Sequence, residues 1–218
     1  MRQKLSRFND IAHHPNILEP GKDLFDQIKG NWKKEFFENE KELVLELGCG
    51  RGEYTISMAR LNPTKNFIGV DVKGDRIWVG STIALEEGLQ NVAFLRTQIQ
   101  VLDNFFEENE VSEIWITFPD PRPKGRDERR RLTSPRFLKI YERILKPAGV
   151  VHLKTDNTEF FEYTLEALKS IKTDDLQVTY DLYESNLKDL HQGVKTNYEK
   201  IYTEKGEIIK YLNFKINK

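Results

Sequence analysis

Short runs of apolar residues alternate with stretches of helical periodicity along most of the chain. Runs typical of buried strands cover residues 43–48, 66–71, 91–96, 112–118 and 150–154, with two later ones near 177–183 and 207–216. Apolar residues at helical spacing predict helices over residues 23–38, 53–61, 76–88, 101–106, 135–145 and 158–171. This order predicts an α/β protein with a doubly wound, mostly parallel seven-stranded sheet and an antiparallel edge strand.

The first 22 residues lack this regularity. They carry Arg2, Lys4 and Arg7, and prolines and Gly21 interrupt any repeating pattern. Such a composition is typical of a flexible arm, and it is also found in segments that fold onto a polyanion. We predict a flexible arm over residues 1–22 and a single folded domain over residues 23–218.

The first predicted strand leads into a glycine-rich turn. Glu46 is followed by Gly48, Gly50 and Gly52, and a helical pattern begins directly afterwards. A strand, a glycine turn and a helix form the ligand pocket of Rossmann-like folds. Asp71 ends the second strand about 20 residues later, where a carboxylate can accept both hydroxyls of a ribose. Turn and acid together predict a cofactor that contains adenosine.

Polar residues also follow other predicted strands. Asp120 follows the fourth strand, and Thr155, Asp156 and Asn157 follow the fifth. In open parallel sheets, ligands bind beyond the carboxyl ends of the strands. These residues therefore cluster where the topology predicts the site, independently of the glycine turn.

The composition narrows the class of protein. The chain has 218 residues, of which 32 % are charged, yet its net charge is −1, so any affinity for nucleic acid must come from a local patch. Cys49 is the only cysteine and is interpreted as a small residue of the turn, and the four histidines lack the paired spacing of a metal site. No apolar run is long enough to span a membrane. We predict a cytoplasmic protein with no metal ion and no membrane partner.

A basic segment spans residues 118–132 and contains Asp120. Three prolines stiffen its first half, and its second half contains the cations Lys124, Arg126, Arg129, Arg130 and Arg131. Basic side chains beside a cofactor pocket can hold the phosphates on either side of a target nucleotide. The position of the segment at the active end of the sheet favours nucleic-acid binding over a solvated loop.

Several separate motifs resemble those of one family, in matching order and spacing. They are Glu46-Leu-Gly-Cys-Gly, Phe118-Pro-Asp-Pro, Lys124, Arg129-Arg-Arg-Leu, Lys154-Thr-Asp-Asn157 and Thr196-Asn-Tyr-Glu199. Across about residues 40–205 the chain resembles bacterial tRNA (guanine-N7-)-methyltransferases, which are class I enzymes that use S-adenosylmethionine. The resemblance implies methylation of N7 of the guanine at position 46 in the tRNA variable loop. It implies tRNA and not DNA as the partner, and either a monomer or a homodimer.

The resemblance also implies roles for individual residues. The cofactor would be bound by Glu46, Gly48, Gly50, Asp71, Gln98 and Asp120. Asp120 would be the catalytic residue, because it would lie where methyl donor and guanine meet. The substrate would be contacted by Lys124, Arg126, Asp156, Thr196, Asn197, Tyr198 and Glu199.

Three positions depart from the family pattern. The family commonly has an acid at Gln98, a tryptophan at Arg122, and an acid or a similar polar residue near Asn197. Gln98 can still bond the adenine amino group through its carbonyl oxygen, whereas Arg122 weakens the case for a stacking role at that position.

The expected chemistry explains why no poised histidine is found. Guanine N7 carries a free lone pair and loses no proton on methylation, so the site needs alignment and charge rather than a general base. Asp120 either stabilises positive charge on the purine or accepts hydrogen bonds from N1–H and the 2-amino group. Three alternatives stay open: a methyltransferase with another nucleobase target, a non-catalytic RNA-binding protein on this fold, and an NAD dehydrogenase, which the glycine spacing disfavours.

Overall fold

The computed structural model describes residues 6–7 and 10–218. The strands in this part of the chain are β1 (Ile17–Leu18), β2 (Glu42–Leu47), β3 (Lys65–Asp71), β4 (Val92–Arg96), β5 (Val111–Thr117), β6 (Leu145–Thr155), β7 (Thr173–Thr179) and β8 (Lys210–Ile216). The α-helices are α1 (Glu53–Leu61), α2 (Gly74–Glu86), α3 (Pro135–Ile144), α4 (Thr158–Leu168) and α5 (Asn197–Glu204). Short 3₁₀ turns cover Ile99–Asn104, Gly125–Arg130 and Lys188–His191. None of the helices between residues 10 and 218 is long and apolar enough to cross a membrane.

The strands form one sheet in the order β1-β4-β3-β2-β5-β6-β8-β7. Every neighbouring pair is parallel except the two that involve β8, which runs antiparallel to β6 and to β7. The α/β class and the mostly parallel Rossmann-like sheet are therefore confirmed. The antiparallel strand lies one place inside the edge, because β7 covers its outer side.

The alternation of side chains along β2 shows how the sheet builds two cores. Leu43, Leu45 and Leu47 are buried in the core that α3 and α4 cover. Val44 belongs to the core on the other face, which α1 and α2 cover. Glu46 shares that second face, since it lies two positions after Val44. The fold therefore directs this carboxylate under α1, at the carboxyl end of the strand.

The described sheet has eight strands rather than the predicted seven. Ile17–Leu18 pairs in parallel with Phe94 and Leu95 of β4, and both of its side chains are buried. A strand of two residues is too short to produce a recognisable periodicity, so the flexible arm predicted over residues 1–22 includes it. The arm contributes to the sheet at these positions, and its residues 1–5, 8 and 9 lie outside the described part of the chain.

The helix predicted over residues 23–38 is wrong. This stretch consists of turns and one π-helical turn at Trp32–Phe36, although Ile28 and Trp32 are fully buried. Gly30 interrupts the stretch with a φ of +75°, and its amide donates to Glu110 at 3.1 Å. The apolar side chains here reach the core from irregular backbone. Their helical spacing therefore indicated which residues are buried, but it did not indicate a helix.

Candidate active site

A cavity of about 310 Å³ opens at the carboxyl ends of β2 and β5. We call it the glycine-turn cavity. It is lined by Glu46, Gly48, Cys49, Gly50, Arg51, Glu53, Arg76, Thr117, Phe118, Thr196, Asn197 and Tyr198. The cavity therefore brings the predicted cofactor turn together with three of the predicted substrate residues, which are distant in sequence.

The glycine turn has the backbone that its sequence predicts. Gly50 has a φ of +56°, and a Cβ built on it would meet no atom within 4 Å, so the space beside it is open to a ligand. Gly52 has a φ of +72°, and a Cβ there would lie 2.6 Å from the ring of Phe94. The first glycine keeps room for a ligand, and the second lets the start of α1 pack closely on the sheet.

Glu46 lies at the floor of the glycine-turn cavity and is 4 % exposed. Its Oε2 accepts hydrogen bonds from the amide of Thr55 at 2.9 Å and from the hydroxyl of Thr55 at 2.5 Å. Its Oε1 accepts from the hydroxyl of Thr117 at 2.7 Å. Burial raises the pKa of Glu46 to about 7, although the threonine hydrogen bonds act in the opposite direction. The carboxylate thus joins β2 to α1 and β5 beneath the cavity.

Asp71 ends β3 beside the glycine turn. Its Oδ2 accepts from the amide of Gly50 at 3.0 Å, and its Oδ1 accepts from the amide of Lys73 at 2.9 Å. Arg96 of β4 is its neighbour in the sheet register. Asp71 therefore connects the glycine turn to the carboxyl end of the next strand.

A second cavity, of about 470 Å³, lies on the β4 side of Asp71. We call it the Gln98 cavity, and it is lined by Pro20, Phe25, Val72, Arg96, Thr97, Gln98 and Val101. Gln98 therefore does not line the glycine-turn cavity. Asp71 is followed directly by Val72 of the Gln98 cavity, and it accepts a hydrogen bond from Gly50 of the glycine-turn cavity. Asp71 therefore lies between the two cavities.

Asp120 projects from the loop after β5. Phe118 begins this loop with a φ of +48° and lines the glycine-turn cavity, whereas Asp120 is exposed. The Asp120 carboxylate accepts from the Arg122 amide at 3.1 Å and lies 3.1 Å from the Arg122 guanidinium. Arg122, one of the three positions that the sequence comparison expected to depart from the family pattern, thus pairs with the predicted catalytic acid.

The basic segment forms an exposed 3₁₀ turn over Gly125–Arg130. The side chains of Lys124 and Arg126 are exposed and have no hydrogen-bond or ion-pair partner within residues 10–218. Arg131 differs, because its guanidinium donates to the carbonyls of Pro121 and Arg122 and lies 4.2 Å from the centre of the Tyr163 ring. Arg131 fixes the loop, while the two exposed cations point to solvent.

The predicted substrate motif begins α5. The Thr196 hydroxyl caps the helix by accepting from the amide of Glu199 at 3.1 Å. The amide and the side-chain nitrogen of Asn197 both donate to Glu53 at 2.7 Å. This pair of hydrogen bonds holds the start of α5 against the start of α1, across the glycine-turn cavity.

Tyr198 and Asp156, two of the predicted substrate residues, contact each other beside the glycine-turn cavity. The Tyr198 hydroxyl donates to the Asp156 carboxylate at 2.9 Å, and the Tyr198 ring lies 5.3 Å from that of Phe118. Asn157 has a structural role, because its side chain caps α4 by accepting from the amide of Phe160 at 2.7 Å. Asp156 therefore lies beside the wall of the glycine-turn cavity, whereas its neighbour Asn157 belongs to the start of α4.

Glu199 is fully buried and pairs with the fully buried Lys154. The Lys154 nitrogen lies 2.8 Å and 2.9 Å from the two carboxylate oxygens and donates to the carbonyl of Val194 at 3.2 Å. The Tyr183 hydroxyl also donates to Glu199. Burial lowers the pKa of Lys154, and the Glu199 carboxylate opposes this shift. In this structure Glu199 therefore faces the interior of the protein and not the opening of the cavity.

Some residues of the site were not singled out from the sequence. Arg51, Arg76 and Glu53 line the glycine-turn cavity, and no local pattern distinguishes them from ordinary surface charges. Lys154 did carry a signal, because a lysine inside the apolar run of β6 requires a partner when it is buried. Within residues 6–7 and 10–218, no three His, Cys, Asp or Glu side chains gather in a way that could hold a metal ion.

Comparisons with known proteins show which family and which fold this chain resembles. The family model Methyltransf_4, described as "Putative methyltransferase", matches residues 40–212. A tRNA (guanine-N(7)-)-methyltransferase of Cytophaga hutchinsonii is 46 % identical over 217 residues, which cover 98 % of this chain and 97 % of the relative. A protein of the same name from Streptococcus thermophilus is 37 % identical over 211 residues, covering 96 % of this chain and 95 % of the relative. The solved structure of the 16S rRNA methyltransferase KamB has the same fold, with a TM-score of 0.61 at 16 % identity over 92 % of this chain and 96 % of that one.

Proposed function

The chain belongs to the tRNA (guanine-N(7)-)-methyltransferase family, and on this premise we propose that it transfers a methyl group from S-adenosylmethionine to N7 of the guanine at position 46 in the variable loop of tRNA. The observation that carries the proposal is the glycine-turn cavity, where the turn meets residues 196–198. A nucleoside cofactor and a nucleobase can approach each other there from two elements joined by the Asn197–Glu53 contact.

The residues around Asp71 fit S-adenosylmethionine in their chemistry. The open space at Gly50 admits a ligand close to the backbone. Each oxygen of Asp71 accepts one backbone amide and keeps a further lone pair, so the carboxylate can also accept the two ribose hydroxyls. Gln98, in the neighbouring cavity, can accept from the adenine amino group through its carbonyl oxygen. Glu46 would support the pocket from below through Thr55 and Thr117.

The reaction requires no proton transfer to or from the protein. When bound, S-adenosylmethionine supplies an electrophilic methyl carbon whose bond to sulfur breaks as the N7 lone pair forms the new bond, and the base loses no proton. Asp120 would act by stabilising positive charge on the purine or by accepting from N1–H and the 2-amino group. Each oxygen of this carboxylate has one contact with Arg122 and keeps a further lone pair, so Asp120 can take either role.

The tRNA would be held by its phosphates and by the exposed end of α5. Lys124 and Arg126 carry free cationic groups within the described residues and are suited to phosphates. The target guanine must leave its stack, at a cost of a few kcal/mol that backbone contacts would offset. Asp156 and Tyr198 form a hydrogen-bonded pair beside the cavity that would meet the extruded nucleotide. A tRNA substrate also implies a cytoplasmic location.

The test is methyl transfer from labelled S-adenosylmethionine to two unmodified tRNA transcripts that differ only at position 46. We expect label in the transcript with guanine, chain cleavage at an N7-methylguanine, and no label in the matched transcript with adenine. Label in both transcripts would reject position 46 as the target. No label in either, together with measurable cofactor binding, would reject tRNA as the acceptor, and no cofactor binding would reject the enzyme itself.

A further inference from the structure

The residues that follow strand β1 lie at the edge of the sheet where the strands have their carboxyl ends. Its residues Ile17 and Leu18 pair in parallel with Phe94 and Leu95 of β4. Because parallel strands end at the same edge of a sheet, residues 19 and 20 emerge beside the carboxyl end of β4. The segment that the sequence placed in a flexible arm therefore reaches the ligand-binding side.

Side-chain contacts hold this segment in place. Glu19 is 6 % exposed, and its carboxylate lies 3.0 Å from the guanidinium of Arg96, the last residue of β4. The ammonium group of Lys22 donates to the carbonyls of His14 at 2.5 Å and Ile17 at 2.6 Å. The turn at residues 19–22 is thus fixed both to its own strand and to the neighbouring one.

The fixed turn forms one wall of the Gln98 cavity. Pro20 and Phe25 supply apolar surface from this segment, and Val72 and Val101 supply it from the domain. The Phe25 ring is itself packed edge-on against Phe105, with the ring centres 4.9 Å apart. The polar residues Arg96, Thr97 and Gln98 also line the cavity. Apolar faces with a few polar groups at one edge suit a flat heteroaromatic ring with a hydrogen-bonding edge.

We propose that Pro20 and Phe25 form the outer wall of the adenine subsite, and that Glu19 positions this wall through Arg96. The inference rests on the proposed function, because the occupant is the adenine of S-adenosylmethionine. Continuity with Asp71 identifies that occupant: a ribose held at Asp71 leaves its base on the side of Val72 and Gln98. Residues 19–25 precede the segment that the family model matches, which begins at residue 40, so they extend the cofactor pocket beyond the motif-bearing part of the chain.

The test measures binding and not turnover. The full-length protein is titrated calorimetrically with S-adenosylhomocysteine, the demethylated cofactor, and with 5′-methylthioadenosine, which retains adenine and ribose but lacks the amino-acid end. We expect Phe25→Ala to raise the Kd for both ligands by the same factor, about tenfold, because the lost contact is with the base. Glu19→Gln, which keeps the shape and weakens the pair with Arg96, should raise both by about threefold.

Phe36→Ala is the matched control. Phe36 is a half-buried phenylalanine that packs against the same core as Phe25 and lines neither cavity. We expect it to lower the melting temperature about as much as Phe25→Ala while leaving both Kd values unchanged. Equal changes in Kd for Phe25→Ala and Phe36→Ala, or none for either, would overturn the inference.

The outcomes separate this inference from the proposed function. If the wild-type protein binds S-adenosylhomocysteine and Phe25→Ala binds it equally well, the cofactor proposal stands and the adenine wall is rejected. If Phe25→Ala leaves both Kd values unchanged but weakens the binding of a tRNA transcript titrated in the same way, the adenine wall is rejected and the cavity holds a base of the RNA. If the wild-type protein binds neither ligand, the proposed function itself fails.

Discussion

The buried ion pair between Lys154 and Glu199 can be broken from either side, and the structure predicts the consequence of each change. Both side chains have no exposed surface, and Tyr183 and Val194 complete their hydrogen bonds. Glu199→Gln leaves a buried ammonium group without a counter-charge, and Lys154→Met leaves a buried carboxylate. The double variant Lys154→Met with Glu199→Gln leaves neither charge.

The expected magnitudes follow from desolvation. Removing one partner of a buried pair lowers the free energy of unfolding by about 3–5 kcal/mol, because the remaining charge stays buried without compensation. In a chain of 218 residues this corresponds to a fall in melting temperature of roughly 10 °C. The double variant should lose much less than the sum of the two single variants, since Met and Gln keep a similar volume with no net charge.

The assay is urea unfolding at pH 7 of the wild type, the two single variants and the double variant. Glu166→Gln is the control, because Glu166 and Lys169 form an ion pair of the same residue types whose side chains are each 72 % exposed. Exposed pairs of this kind contribute little to stability. The reasoning is refuted if the single variants at Lys154 and Glu199 behave like Glu166→Gln, or if the double variant loses the full sum.

Two further predictions concern the acids of the site. Asp120→Asn should lower the single-turnover methylation rate by about 10²–10³-fold without changing the melting temperature, because Asp120 is exposed; an unchanged rate would contradict its catalytic role. The pKa of Glu46 rises from 4.5 to about 7 on folding, so the folded state binds the extra proton and wild-type stability should fall by about 3 kcal/mol as pH rises from 4.5 through 7. Glu46→Gln should remove this fall, because the glutamine amide can donate to the Thr117 oxygen and does not titrate. Urea unfolding of the wild type and the variant at pH 5 and pH 8 measures their free energies of unfolding. If the two proteins differ in this free energy by the same amount at both pH values, the prediction is contradicted.

The sequence predicted those parts of the fold in which one local pattern determines one structure. The helix predicted over residues 53–61 is α1 with the same bounds, because a glycine turn fixes its start and the apolar spacing fixes its buried face. The stretch around Trp32 shows the limit of the same method. Its apolar spacing was correct as a report of burial, yet Gly30 and the bond to Glu110 direct the chain into turns. Periodicity identifies buried positions more surely than backbone conformation.

The surroundings of Asp71 were predictable only in part. Asp71 lies between two cavities beside the glycine turn, where the fold rule predicted a carboxylate. Pro20 and Phe25 gave no such signal, because their place depends on the pairing of a two-residue strand with a strand about 75 positions later. Such a contact has no local pattern, and it is visible only when the sheet is assembled.

The segment Thr196-Asn-Tyr-Glu199 shows how the fold selects among the roles that a motif allows. Its sequence matches a capping box, in which Thr and Glu would both bond to the backbone at the start of a helix. Only the threonine half forms, because the Glu199 side chain turns inward to Lys154. The cap and the ion pair together fix the start of α5 and leave Asn197 and Tyr198 exposed at the cavity. Of the four motif residues, we therefore expect Asn197 and Tyr198 to contact the substrate and Thr196 and Glu199 to hold them there.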